Sequence, residues 1–453
     1  MAERDLSAEK YRQMTQTPIP RLVTSMAIPT ILSTMITVIY NTADTYFVSR
    51  ISPSASAAVG VVYSIMAILQ AVGFGLAMGA GSLISRYLGQ QREREASGFA
   101  SSGFFAAMLM GVVVGGGCLT VLEPLLRLIG ASETMLPHAI PYARIILAAA
   151  PISCSGFVVN NVLRAEGNTK LSMWGSLVGA VLNIVLDPIL IFLLGMGTAG
   201  AALATVISQG VSWGIQFYVY LTGRTILKLH PRFISRSWTT YKKIIVTGSP
   251  TILRQGLGSV SATALNISAV VYGDAPVAAI TIAGKLNTLV RQLTIGLGQG
   301  FPPVAGYNYG AGNKKRTFEA FTFATKLGTL ICTAAAVVIA IFAEPIMWAF
   351  CDSAEVARIG TQTLLISCAV MPLLGFSTFT NQLNQCLGFA KIASFLASCR
   401  QGTFFLPIIL ILPRFLGALG VEMTQSLADL MTFLISIPFA LRFYRREILE
   451  QKE

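Results

Sequence analysis

Residues 28–49 read "IPTILSTMITVIYNTADTYFVS", and from Leu22 to Ser49 the only Asp, Glu, Lys, Arg or His is Asp44. About 20 mostly apolar residues let a helix cross a hydrocarbon core roughly 30 Å thick. The stretch therefore reads as a membrane-spanning helix with one carboxylate in it. Its opening returns later as "SPTIL" at 249–253, whereas its acid does not return. The repeat decides the fold, and the unrepeated acid points to the function.

The rest of the chain agrees with a membrane reading. Of 453 residues, 54% are hydrophobic and only 12% charged, with a mean hydropathy of +0.66. Soluble domains carry about 25% charged residues. Twelve spans are expected near 22–49, 55–85, 97–122, 137–159, 171–194, 199–222, 244–272, 277–306, 318–342, 360–381, 392–413 and 419–444. The polar first 21 residues lack the apolar core of a signal peptide and read as a short tail.

The net charge of +13 does not call for nucleic acid. With Arg442 counted in the carboxy-terminal tail, 23 of the 33 Lys and Arg residues fall on one side of the membrane and four on the other (Arg50, Arg127, Arg358, Arg414). That is the positive-inside bias, and it places both termini in the cytoplasm. The seven cysteines are dispersed and His138 and His230 sit in connections, so the pattern contains no metal cluster or nucleophilic pair. An enzyme is not expected. "GYNYGAGNKK" (306–315) lacks the spacing of a phosphate-binding loop, and reads as a helix end and turn.

The repeat has a constant offset of 221 residues. "GLAMG" (75–79) matches "GLGQG" (296–300); Gly89 matches Gly310, Pro151 Pro372, Gly167 Gly388 and Lys170 Lys391. A duplicated unit of six helices follows. Six is even, so the copies enter from the same side, as parallel lobes related by a pseudo-two-fold axis along the membrane normal. The expected organisation is a tail (1–21), an amino-terminal lobe (22–222), a linker (223–243), a carboxy-terminal lobe (244–444) and a tail (445–453). The glycines of the two pentapeptides are expected to permit close helix packing.

An acid in a span is a functional candidate, because a charge at mid-membrane costs about 2.5–3.5 kcal/mol on the lenient scale. Tyr40 and Asp44 lie four residues apart on one helix face, as do Asn183 and Asp187. The positions 221 residues beyond the two acids are Leu265 and Ile408, so the acids serve one half only. Two neighbouring carboxylates titrate as a pair and need a counter-cation. Either H⁺ or Na⁺ fits, the latter with help from Asn183 and Thr205. Pro188 would free carbonyl oxygens beside Asp187, and Pro29 gives the first span a place to kink. The second half carries Arg254, Lys285, Arg291 and Arg400, with Asp429 expected either to pair with Arg400 or Lys285 or, with Gln255, Lys285 and Arg400, to contact substrate. Gln255, Gln292 and Gln401 would add polar lining to a cavity between the lobes.

"NIVLDPILIF", "GLGQGFPPVAGYNYGAGNKK" and "LPRFLGALGV", with the opening stretch, resemble the multidrug and toxic compound extrusion (MATE) family from about residue 18 to 446. The resemblance is greatest to its bacterial MepA-like and DinF-like members. It implies a monomeric twelve-helix exporter of the bacterial inner membrane that exchanges organic, often cationic, compounds for H⁺ or Na⁺. No cofactor beyond the coupling ion is implied. The DinF-like cation site falls on Tyr40, Asp44, Asn183, Asp187 and Thr205, and its bending proline on Pro29. A second cation site used by another branch, in spans 7 and 10, would fall near Gln255, where this chain has no acid. The alternative is a lipid-linked saccharide flippase of a related branch.

Overall fold

The structure, a computed structural model, describes residues 2–445. The carboxy-terminal tail beyond Arg445 lies outside the described residues. The first half runs α1 (Ala2–Gln16), α2 (Ile19–Ser49), α3 (Pro53–Gly89), α4 (Glu93–Thr120), α5 (Leu122–Leu128), α6 (Leu136–Ala148), α7 (Ala150–Ala165), α8 (Thr169–Pro188) and α9 (Gly197–Leu221). The second runs α10 (Trp238–Val270), α11 (Asp274–Gly310), α12 (Lys314–Ile341), α13 (Ala343–Phe350), α14 (Ala354–Val370), α15 (Leu373–Leu387), α16 (Ala390–Ser398), α17 (Phe405–Leu416) and α18 (Ala418–Tyr444).

The duplication is visible in the helix boundaries. Helices α3, α4, α5, α8 and α9 begin 221 residues before α11, α12, α13, α16 and α18. Each half also has one sharply bent span, 51° between α6 and α7 and 53° between α14 and α15. The bends fall at Pro151 and Pro372, which lack the N–H that a continuous helix needs.

Among the described residues, seven helical runs are long and apolar enough to cross a membrane, and the two bent pairs raise this to nine. Helices α9, α10 and α11, of 25, 33 and 37 residues, also have the length to cross. With them the count is the expected twelve.

The lobes meet through backbone approaches that only glycine allows. A Cβ on Gly79 would lie 2.1 Å from the Ile244 carbonyl, and one on Gly248 would lie 2.1 Å from that of Gly75. The pseudo-symmetric contact sets Gly296 and Gly300 each 2.7 Å, measured to the added Cβ, from the Cα atoms of Ile31 and Ala27. Further down, Gly89 faces the Tyr307 carbonyl and Gly310 that of Arg86. Thr30 Oγ1 donates to the Gly296 carbonyl at 2.7 Å, and Arg86 donates to that of Leu387 at 3.0 Å. All these contacts lie toward the end of the bundle that holds α1 and the linker. At the opposite ends of α2, α3 and α10, Ile39, Tyr63 and Ile267 are exposed. The lobes are therefore sealed at one end and parted at the other.

Two segments outside the expected spans are docked on the lobes. The amino-terminal tail is a docked helix: Met14 is fully buried, its carbonyl accepts from Asn308 Nδ2 at 3.0 Å, and Tyr11 packs on Tyr307. Leu6, Tyr11 and Met14 supply an apolar side that a polar average conceals. The 223–243 linker is helical from Trp238, and its earlier part lies on α4. There Ser101 Oγ donates to the Lys228 carbonyl (2.9 Å) and accepts from the His230 N–H (3.2 Å), while Ser102 Oγ accepts from that of Ser235 (2.9 Å).

Candidate functional site

The amino-terminal lobe brings the predicted acids together. Asp44 projects from the far half of α2 and Asp187 from the last turn of α8, and the two are close enough to feel each other's charge. Asp187 is 0% exposed and Asn183 2% exposed, whereas Asp44 is only half-buried. Asn183 Nδ2 lies 3.5 Å from both Asp187 Oδ1 and Thr205 Oγ1, the latter on α9. Tyr40 precedes Asp44 by one turn on α2 and lies within its electrostatic reach. The structure thus brings the five residues together, with Asp187 innermost.

Helix α8 gives way just after Pro188 to a π-helical turn, Ile189–Leu193, rather than a simple kink. Leu194 N donates to the Ile189 carbonyl at 2.9 Å, and the turn fits against Gly200 of α9. Such turns widen the helix locally and are frequent at functional sites. One member was not singled out in the sequence. Tyr142 of α6, 2% exposed, lies within electrostatic reach of Asp44, Asp187 and Tyr40. A tyrosine after Pro141 in an apolar span carries no sequence signal of that role.

Three oxygens in this site, Asp44 Oδ1, Asn183 Oδ1 and Asp187 Oδ2, are buried with no hydrogen-bond partner. Two carboxylates, an amide oxygen and a hydroxyl form an all-oxygen set, which suits a proton or a hard monovalent cation.

The carboxy-terminal lobe is built differently. Arg400, in a second π-helical turn (Cys399–Thr403), forms a two-pronged pair with Asp429: Nε to Oδ1 at 2.6 Å and Nη2 to Oδ2 at 3.3 Å. Gln425 Nε2 adds a bond to Oδ1 at 3.0 Å. Asp429 therefore pairs with Arg400; Lys285 and Gln255 are exposed. Buried Glu422 accepts from Thr363 Oγ1 at 3.0 Å, which satisfies one of its oxygens locally.

Pro29 lies inside an unbroken α2, buried beside Thr30, whose hydroxyl reaches the other lobe. A bend at Pro29 would thus act directly on the seal between lobes.

The MatE family profile matches residues 29–189 and again 250–411, one copy per lobe. The chain belongs to the MatE family. Among curated relatives, the multidrug export protein MepA of Staphylococcus haemolyticus is 25% identical over 405 residues, 89% of each chain. An outward-facing multidrug-resistance MATE transporter of the MOP superfamily aligns with a TM-score of 0.89 at 26% identity, covering 96% of this chain and 97% of that one. A MATE crystal structure in the straight conformation aligns at 0.90 and 26% identity, covering 98% and 99%. As a MatE protein, the chain is a multi-pass membrane transporter of two six-helix lobes, not an enzyme.

Proposed function

We propose that this MatE protein is a secondary antiporter that exports organic, drug-like compounds in exchange for H⁺ or Na⁺ bound at Asp44, Asn183, Asp187 and Thr205. The observation that carries the reading is the group of three partnerless buried oxygens on Asp44, Asn183 and Asp187. Two carboxylates in mutual reach repel unless a cation or proton intervenes, so the site supports coupling-ion binding. Both acids lie in the half of the lobe that faces the parted end. Cytoplasmic termini, as the Lys and Arg distribution favours, would make this an outward-open state in which the ion enters from outside.

The cycle then follows from linkage. Ion binding at Asp44 and Asp187 favours one arrangement of α2, and bending at Pro29 pulls on the Thr30–Gly296 contact that holds the lobes together. Substrate and ion weaken each other's binding by the same factor. Cationic drugs, the usual substrates implied by the family resemblance, remain one class to test.

The test uses purified protein in liposomes loaded with ethidium, driven first by a pH gradient and then by a sodium gradient. A maleimide that cannot cross membranes, directed at a cysteine placed at Ser237, sets the orientation. Gradient-driven efflux is expected for the wild type. Asp44→Asn, which keeps shape but fixes the neutral state, should melt normally and lose efflux by about two orders of magnitude or more, as a lost proton-transfer group does. A stable Asp44→Asn protein exporting at the wild-type rate would reduce the acid to a packing role.

A further inference from the structure

The carboxy-terminal half of the cleft carries a charge pattern that the exporter reading leaves unused. Arg254, Arg291 and Arg400 stand near the middles of α10, α11 and the α16–α17 span. Arg254 and Arg291 both lie within electrostatic reach of Arg400. Among the described residues, Asp429 is the acid that offsets the group, and Arg400 already holds it through both oxygens. Among the described residues, Arg254 and Arg291 make no side-chain hydrogen bond or ion pair, and the Nε of Arg291 is buried without a partner.

Their height in the molecule is informative. Arg254 is six residues past Gly248 and Arg291 five before Gly296, the glycines at the top of the seal. At 1.5 Å per residue both stand roughly 8–9 Å above it, at the floor of the cleft. Helices α10 and α11 also make most of the carboxy-terminal lobe's contact with the other lobe. The duplicated positions in the amino-terminal lobe are Ser33, Gln70, Gly179 and Ser208, so the shared architecture does not require these charges.

We infer that Arg254 and Arg291, backed by Arg400, bind the anionic group of the transported molecule. A carboxylate, phosphate or sulfonate on an organic scaffold is the matching chemistry, because a guanidinium fork addresses two oxygens of one anion. The substrate class thus extends to organic anions and zwitterions. The inference rests on the export reading and adds to its substrates.

Anisotropy of carboxyfluorescein, an anion, and ethidium, a cation, is measured on the full chain in phosphatidylcholine nanodiscs without any ion gradient. The wild type should bind carboxyfluorescein, and Arg254→Gln with Arg291→Gln should weaken it by about tenfold or more while ethidium binding holds or tightens. Wild-type protein that binds ethidium and not carboxyfluorescein overturns the inference even if the double variant fails to fold. Equal carboxyfluorescein affinity in a folded double variant also overturns it. Repeating the wild-type titration in phosphatidylglycerol nanodiscs separates the sources: competition there assigns the same anion site to a lipid headgroup, and unchanged binding assigns it to a soluble anion. Ethidium efflux on the same preparation reports separately on export, so failure of either reading is distinguishable.

Discussion

At the scale of residues, the pseudo-symmetry supplies its own controls. Asp187 is fully enclosed and touches Asn183, while its counterpart Ile408 packs among apolar side chains of the other lobe. Asp187→Asn should abolish ion-coupled efflux, and Ile408→Val should leave it within about twofold, since a lost methylene costs about 0.5–1.5 kcal/mol of stability and no chemistry. Initial efflux rates normalised to protein in the vesicle check both; wild-type efflux from Asp187→Asn would make that carboxylate structural. The site's outline was legible because carboxylates in apolar spans are conspicuous and helical spacing aligns Tyr40 with Asp44 and Asn183 with Asp187. Tyr142 was not legible, because its role comes from where the α6–α7 bend places it.

At the scale of elements, the linker and the α7–α8 turn form one docked unit. Glu166 caps α7 and is fully buried against the backbone of Ile226 and Leu227, with Asn168 Nδ2 on Oε2 at 3.2 Å. Burial pushes its carboxyl up to about 8, outweighing the linker amides and Lys10, which favour the charged form. A folded-state value above the unfolded one of 4.5 contributes stability that is complete below pH 4.5 and lost as pH rises through about 8. Glu166→Gln removes that dependence. Its melting temperature should match the wild type near pH 5 and exceed it by a few degrees near pH 9, with slower tryptic cleavage of the linker at high pH. Parallel melting curves across the range would show that Glu166 does not govern docking.

At the scale of the whole molecule, the glycine-lined seal defines the state observed. A side chain at Gly310 would begin 2.1 Å from the Arg86 carbonyl, so Gly310→Leu cannot keep the lobes closed there. Spin labels on Gln90 and Lys315, which flank the seal, should move apart by several ångströms in that variant, and gradient-driven efflux should fall by about tenfold or more, as for other steps that set turnover. An unchanged label distance with wild-type efflux would mean that the seal does not gate transport.

The membrane class, the twelve spans, the duplication and the residues of the candidate ion site follow from hydropathy, a constant 221-residue offset and isolated charges. All of these are periodic or compositional, and survive without knowledge of contacts. The docking of α1, the lie of the linker on Ser101 and Ser102, the π-helical turns, the choice of Arg400 as partner of Asp429, and the end at which the lobes close were decided only in three dimensions. Each depends on which surfaces residues distant in the chain present to one another. A short-range pattern can name a glycine that permits close approach, but the carbonyl that approaches it comes from another lobe.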